Sequence, residues 1–346
     1  MSITHRRRVL HWTSILLILL VAATGVSACG KAGGVDTEQG KTPNNGLALS
    51  AFTSAQAGWN AVVPAFLASP QGAGITIDNP DYGASGDLAQ AIIDGHSADL
   101  VNFSDEPSVN RLVRAGRVAS DWNAGPAKGS PYGSVMTLMV RAGNPKNIHD
   151  WSDLLQPGLE VVTPNPVLSG SGKWGLLAGY AAISNGGQDP AAGQEFLRAL
   201  VLEHVKIAPS TARQATDAFL QGEGDVLITA ESGAIDAERH SQAVIHVTPP
   251  QTMAADNLVA IIKDGPHVDA ATRLNDYLYT PDAQRLWARA GFRPSDPTVA
   301  AEFADEFPMP QKLWTIDDLG GWNATDARFF DSQNGTITKI FKEAVQ

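Results

Sequence analysis

Leu159-Glu160-Val161-Val162-Thr163-Pro164-Asn165-Pro166-Val167-Leu168-Ser169-Gly170-Ser171-Gly172-Lys173-Trp174-Gly175-Leu176-Leu177-Ala178 reads as a strand, a tight loop and the start of a helix, written in series. Leu159 to Thr163 is a short apolar run closed by prolines, the pattern of a buried strand. From Lys173 to Ser184 the residues Trp174, Leu177, Ala178, Ala181 and Ala182 recur at helical spacing. Asn185-Gly186-Gly187 stops that helix. Between the two elements, Ser169-Gly170-Ser171-Gly172 is small enough for another group to approach its backbone closely.

Strands and helices alternate on both sides of this stretch, with no internal repeat. Strands are predicted at 47–52, 74–79, 98–102, 134–141, 225–229, 243–247 and 258–263. Helices are predicted at 59–67, 87–94, 212–221 and 268–290, the last interrupted at Pro281, with a final helix near the C-terminus. Asp150 is a candidate N-cap. Strands alternating with helices indicate an α/β fold with mainly parallel sheets.

The front of the chain sets the compartment. His5-Arg6-Arg7-Arg8 is a basic head, and Ile15 to Ala23 is an apolar run too short to span a bilayer, which needs about 20 such residues. Together they read as an export signal, residues 1–28. Val26-Ser27-Ala28-Cys29 resembles a bacterial lipobox, which implies cleavage before Cys29 and lipid on its thiol. Cys29 is the single cysteine of the 346 residues, so no disulfide forms within the chain. Residues 29–45, rich in Gly, Lys, Asp, Thr and Asn, read as a flexible tether. With residues 1–28 and their three arginines removed, 22 Lys+Arg face 36 Asp+Glu, a formal −14. That charge excludes nucleic acid as a natural partner. About 300 remaining residues suit two lobes.

Two runs carry a family resemblance: Val140-Arg141-Ala142-Gly143-Asn144-Pro145-Lys146-Asn147-Ile148-His149-Asp150-Trp151-Ser152-Asp153-Leu154, and Val162-Thr163-Pro164-Asn165-Pro166 with Ser169 to Trp174. Tyr279-Thr280-Pro281, Phe292-Arg293-Pro294 and Thr315-Ile316-Asp317-Asp318 with Gly320-Gly321-Trp322 add to it. From about Leu47 onward the chain resembles the sulfate- and thiosulfate-binding proteins of bacterial ABC importers. The resemblance implies a two-lobed periplasmic-binding-protein fold, with two crossover strands and the ligand in the inter-lobe cleft. Lobe one would be 46–133 with 248–346, and lobe two 134–247. It also implies an ABC permease and its ATPase as partners, a monomer, and no cofactor.

The family's anion site consists of donors, mostly backbone N–H groups at helix N-termini, where unpaired amides and the macrodipole favour negative charge. On that pattern the ligand residues here are Ser85 and Gly86 in Gly83-Ala84-Ser85-Gly86-Asp87, Ser169, Gly170 and Ser171, and Ala212 with the adjacent Arg213. Ser171 stands where the family usually has glycine. Thr53 and Ser54, in Thr53-Ser54-Ala55-Gln56-Ala57, replace an Asp-Pro-Thr-Arg-Glu segment and can supply hydroxyl donors. Ala230 stands where some sulfate binders place an indole N–H, so thiosulfate, molybdate or another oxyanion remains open. Each Ser-Gly turn also has an ordinary reading as a helix cap. Lys173 and Arg213 fit a helix face equally well, and Trp174 fits core packing. A site of donors disfavours an anion that still carries a proton, unless Asp87 or Glu231 accepts it.

Other classes find little in the sequence. The eight histidines are scattered without metal-ligand spacing, Gly172-Lys173 is not a phosphate-binding P-loop, and no nucleophile elbow is present. No catalytic residue and no metal ligand is expected. A sensory receptor reusing the fold remains the alternative.

Overall fold

The computed structural model describes residues 46–344 except 242. The expected signal peptide, the tether and Cys29 lie outside the described residues. Among those described, no helix is long and apolar enough to cross a membrane.

β1 (Leu49–Phe52), β2 (Asp81–Gly83) and β3 (Leu100–Phe103) run parallel in the order β2-β1-β3. All residues of β1 and β3 are buried, as expected of strands covered on both faces. A 3-10 turn at Thr53–Ala55 leads into α1 (Gln56–Ala68), and β2 leads into α2 (Ser85–Ile93). α3 (Glu106–Arg114) follows β3. β4 (Tyr132–Arg141) then leaves this group.

The second parallel group is β6-β5-β7, with β5 (Val161–Val162), β6 (Val205–Ile207) and β7 (Val226–Ala230). α4 (Gly170–Ile183) and α5 (Pro190–Ala199) lie between β5 and β6, and α6 (Ala212–Leu220) lies between β6 and β7. α7 (Glu231–His240) and β8 (Val244–Val247) complete it. β9 (Gln251–Ile261) runs back. β4 and β9 pair antiparallel with each other over Tyr132–Val135 and Ala254–Asn257. The far half of β4 pairs with β7 and β8, and the far half of β9 pairs with β3. These are the two crossing strands of a two-lobed α/β fold. The ladders within the two strand groups are parallel, and the crossing strands pair antiparallel with them and with each other, while β9 also pairs parallel with Lys312–Trp314.

The rest is α8 (Val268–Leu278), α9 (Pro281–Arg289), β10 (Arg293–Pro294), α10 (Pro297–Glu302), β11 (Lys312–Trp314), α11 (Gly321–Thr325) and α12 (Thr336–Ala344). Pro281 divides α8 from α9 as its position predicts, with Thr280 capping the second helix. The stretch 74–79 makes only an isolated bridge, Ile77 to Leu47, and the paired strand starts at Asp81, beyond Pro80. Crossing and strand, expected as separate pieces at 247–258 and 258–263, are the single strand β9.

Two aromatic-rich cores flank the crossing. One gathers Trp59, Phe66, Tyr132, Trp287 and Phe292, with Tyr132 stacked on Trp287 at 3.6 Å between ring centroids. The other gathers Trp151, Trp174, Leu177, Tyr180 and Phe196. Trp314, Trp322, Phe329, Ile337 and Ile340 also belong to this second core. Residues 312–344, expected with lobe one, therefore pack with the body formed by 134–247. Amphipathic spacing shows which face a helix buries, but not which of two cores receives it.

Candidate functional site

Parallel strands place the loops that follow them at one edge. In the first group those loops begin at Thr53, Ala84 and Ser104, and in the second at Thr163, Ala208 and Glu231. Such carboxyl-end crevices are where open α/β sheets bind ligands. Here the two edges face each other. A Cβ built on Gly86 would lie 3.5 Å from the Leu168 carbonyl oxygen. One built on Gly170 would lie 2.4 Å from Ser104 Oγ and 2.5 Å from Asp105 Oδ2. The indole N–H of Trp174 donates to the Ser104 carbonyl at 2.7 Å, and α6 lies against the 3-10 turn Thr53–Ala55.

Most of the residues singled out from the sequence come to this seam. Ser85 and Gly86 open α2, Gly170 and Ser171 open α4 with Ser169 at its N-cap, and Ala212 opens α6. Ser85, Ser169, Ser171 and Ala212 are buried, while Thr53 and Ser54 are half-buried in the 3-10 turn. Neither α2 nor α4 has a side chain capping it. The first backbone bonds into these helices start from Asp87 N–H and Lys173 N–H. The amides ahead of them, at Ser85, Gly86, Gly170, Ser171 and Gly172, are the orphan donors of a helix start. α6 differs in carrying a capping box, in which Thr211 Oγ1 accepts from Gln214 N–H. That leaves the amides of Ala212 and Arg213 ahead of it. Where helices start elsewhere with Asp or Thr available, the cap is filled, as by Asp105 on α3, Asp189 on α5 and Asp296 on α10.

Arg213 behaves as a helix-face residue: it is half-exposed and lies 3.5 Å from Asp217 one turn on. Lys173 is nearly buried and bridges Asp326 at 3.0 Å and Asp105 at 3.7 Å, so its charge is matched by carboxylates. Trp174 belongs to the core while spending its N–H on Ser104.

Glu231, a suspected acceptor, is held by Arg293 through two bonds of 2.7 and 2.9 Å, and the adjacent Ser232 N–H donates to Ser134 Oγ. The Ser232 amide at the start of α7 is thus paired within the protein, although α7, which follows Ala230 where the chain departs from the family, has no side-chain cap. Asp87 stands exposed in the first turn of α2.

Sequence reasoning missed Ser104 and Asp105. Ser104 N–H donates to Ser85 Oγ at 3.0 Å, and the two hydroxyls are 3.0 Å apart. The signal for α3 was present in Asp105-Glu106-Pro107, an N-cap followed by proline in the first turn. No local pattern marks Ser104, which sits between strand and cap.

The cluster is not the most capacious cavity. One of about 920 Å³ lies beside β4 and β9, lined in part by Lys128, Tyr132 and Asp256. A groove of about 140 Å³ opens at the seam's rim between Gly86, Arg111, Leu168 and Lys173. Among the described residues, no group of acidic, histidine or cysteine side chains is arranged to hold a metal.

Comparison with known proteins gives the family of the chain. Residues 53–293 match the family described as bacterial extracellular solute-binding protein. The chain is 37% identical to the sulfate-binding protein of Escherichia coli (strain K12) over 272 residues, 75% of this chain and 82% of that protein. It is 31% identical to the thiosulfate-binding protein of Pseudomonas aeruginosa over 293 residues, 82% of this chain and 87% of that protein. The solved structure of the sulfate-binding protein SubI from Mycobacterium tuberculosis H37Rv is 55% identical, with a TM-score of 0.81 over 83% of this chain and 100% of that one. The chain belongs to the bacterial extracellular solute-binding proteins, within the family of sulfate- and thiosulfate-binding proteins.

Proposed function

We propose that this protein captures sulfate outside the cytoplasm and delivers it to the permease and ATPase of an ABC importer, with thiosulfate as the nearest competing ligand. The observation that carries the reading is the pair of uncapped helix starts, α2 and α4, brought together from opposite lobes. Their free amides supply a concentrated partial positive charge with no lysine or arginine aimed at the ligand. In this reading Ser85, Gly86, Ser169, Gly170, Ser171 and Ala212 hold the anion, with Thr53 and Ser54 at the edge, and the bound form is a monomer. Lobe one is 46–133 with most of 258–311. Lobe two is 134–247 with the C-terminal residues 312–344. Cys29 carries the lipid that holds the protein at the outer face of the cell membrane.

Calorimetric titration of the lipid-free mature protein with sulfate, thiosulfate, molybdate, phosphate and chloride tests the ligand. Sulfate is expected to bind tightest and to exceed phosphate by at least about tenfold, the factor that one unpaired buried proton implies. Equal affinities for sulfate and phosphate would point to a working acceptor and make Asp87 the suspect. For the membrane attachment, mass spectrometry of the membrane fraction should find Cys29 diacylated at the mature N-terminus, whereas an intact N-terminus would refute it.

A further inference from the structure

Ser104 stands out as a buried polar residue whose hydroxyl has one neighbour of consequence, another hydroxyl. It is 5% exposed and its partner Ser85 is 1% exposed. The Ser104 backbone is gripped from both sides, its N–H by Ser85 Oγ at 3.0 Å and its carbonyl by Trp174 Nε1 at 2.7 Å. A hydroxyl oxygen has one hydrogen and two lone pairs. On Ser85 the first lone pair is taken by the Ser104 N–H.

The contact between the two oxygens, 3.0 Å, can be filled in two ways. If Ser104 donates, both lone pairs of Ser85 are occupied and its hydrogen is turned away from Ser104. If Ser85 donates, it keeps a lone pair to offer elsewhere, and the Ser104 hydrogen is stranded in a buried place. The second arrangement leaves an unpaired donor, which buried sites disfavour.

We propose that Ser104 is a positioning residue that fixes Ser85 as an obligate donor, and so sets discrimination against oxyanions that carry a proton. The inference rests on the reading that Ser85 faces the anion. It has parallels in two buried carboxylates, Glu231 and Asp105, whose oxygens are also filled in advance. Both Glu231 oxygens accept from Arg293. Asp105 accepts from the Ser108 amide and hydroxyl and lies beside Lys173. An anion that brings its own hydrogen finds the lone pairs of Ser85, Glu231 and Asp105 already in use.

The test compares the parent protein with Ser104→Ala by calorimetry, using sulfate and phosphate at about pH 8, where phosphate is chiefly the singly protonated dianion. Removing the Ser104 hydroxyl frees a lone pair on Ser85. The sulfate-to-phosphate ratio of affinities should then fall by about tenfold, the usual scale of one buried hydrogen bond. Sulfate alone should weaken only a few-fold. Ser104→Thr, which keeps the hydroxyl, should restore the ratio. If Ser104→Ala fails to fold, Ser104→Cys, with its weaker donor, should give a ratio between those of parent and Ser104→Thr on one side and the full loss on the other. A variant that weakens sulfate and phosphate equally, or leaves both unchanged, overturns the inference. A parent that binds no sulfate removes the reading of the site itself, which is a separate result.

Discussion

One hydrogen atom on Gly170 decides whether the two lobes can meet. Its backbone is helical, so alanine would suit it conformationally, yet the added carbon would press on Ser104 Oγ and Asp105 Oδ2 across the seam. Gly170→Ala is therefore expected to fold normally and to fail at closing. Sulfate affinity should drop about a hundredfold or more, and small-angle scattering should show none of the compaction that the parent gives with ligand. Normal affinity in that variant would mean that the seam opens wider in solution than it appears. Ser85→Ala and Ser169→Ala each remove one hydroxyl donor to a charged group, about 1.5–3 kcal/mol, or roughly 10- to 150-fold in affinity. Thermal stability without ligand should move little for Ser169, which makes no capping bond. These three positions were legible because serine and glycine before a helix have a chemical meaning that survives without coordinates. Ser104 was not, because its role comes from meeting Ser85 nineteen residues away. Arg213 keeps two readings at this scale, since its side chain is exposed and lies 3.5 Å from Asp217 while its amide stands ahead of the first bonds of α6.

At the scale of elements, the strands and helices that bound the site were readable and their ends were not. α4 was expected from Lys173 and begins at Gly170, because glycine has poor helix propensity and only the closing of the loop draws it into the first turn. β5, expected over five residues, pairs over Val161 and Val162 alone, since prolines follow it at once. β9 has an internal feature that patterning cannot supply. Asp256 stands opposite Gly133 at the wall of the large cavity, and burial pushes its pKa up, with Lys128 opposing and Asp317 and Glu106 reinforcing. A carboxyl whose folded pKa is raised stabilises the fold in its protonated form. That contribution is complete below the unfolded value of about 3.9 and is lost as pH rises through the folded pKa. Asp256→Asn removes the loss. The variant should match the parent near pH 3 to 4 and melt higher than it by pH 7, with the gap opening across the interval between. A gap that shrinks with rising pH would show that Lys128 outweighs burial.

On the proposed reading, the whole molecule joins a strongly acidic body to a cleft whose hold on anions is short-ranged. The chain carries a formal −11, or −14 counted without residues 1–28, while the donors of α2 and α4 act within a turn's length of the helix start. A dianion diffusing in from solution is repelled by the first long before it feels the second. Repulsion at a distance is screened by electrolyte, over about 30 Å at 0.01 M and about 10 Å at 0.1 M, whereas direct contacts in a closed compartment are not. The capture rate should therefore rise as potassium chloride is added, and the escape rate should stay flat, so that affinity improves with ionic strength. Stopped-flow measurement with sulfate between about 0.01 and 0.2 M salt would show it. A capture rate that falls instead would assign local steering to Arg111 and Arg114, which line the rim groove. On the proposed reading, donors without charge give little pull on sulfate from afar and a firm hold on it once enclosed, so that capture, and not retention, is the step that dissolved salt improves.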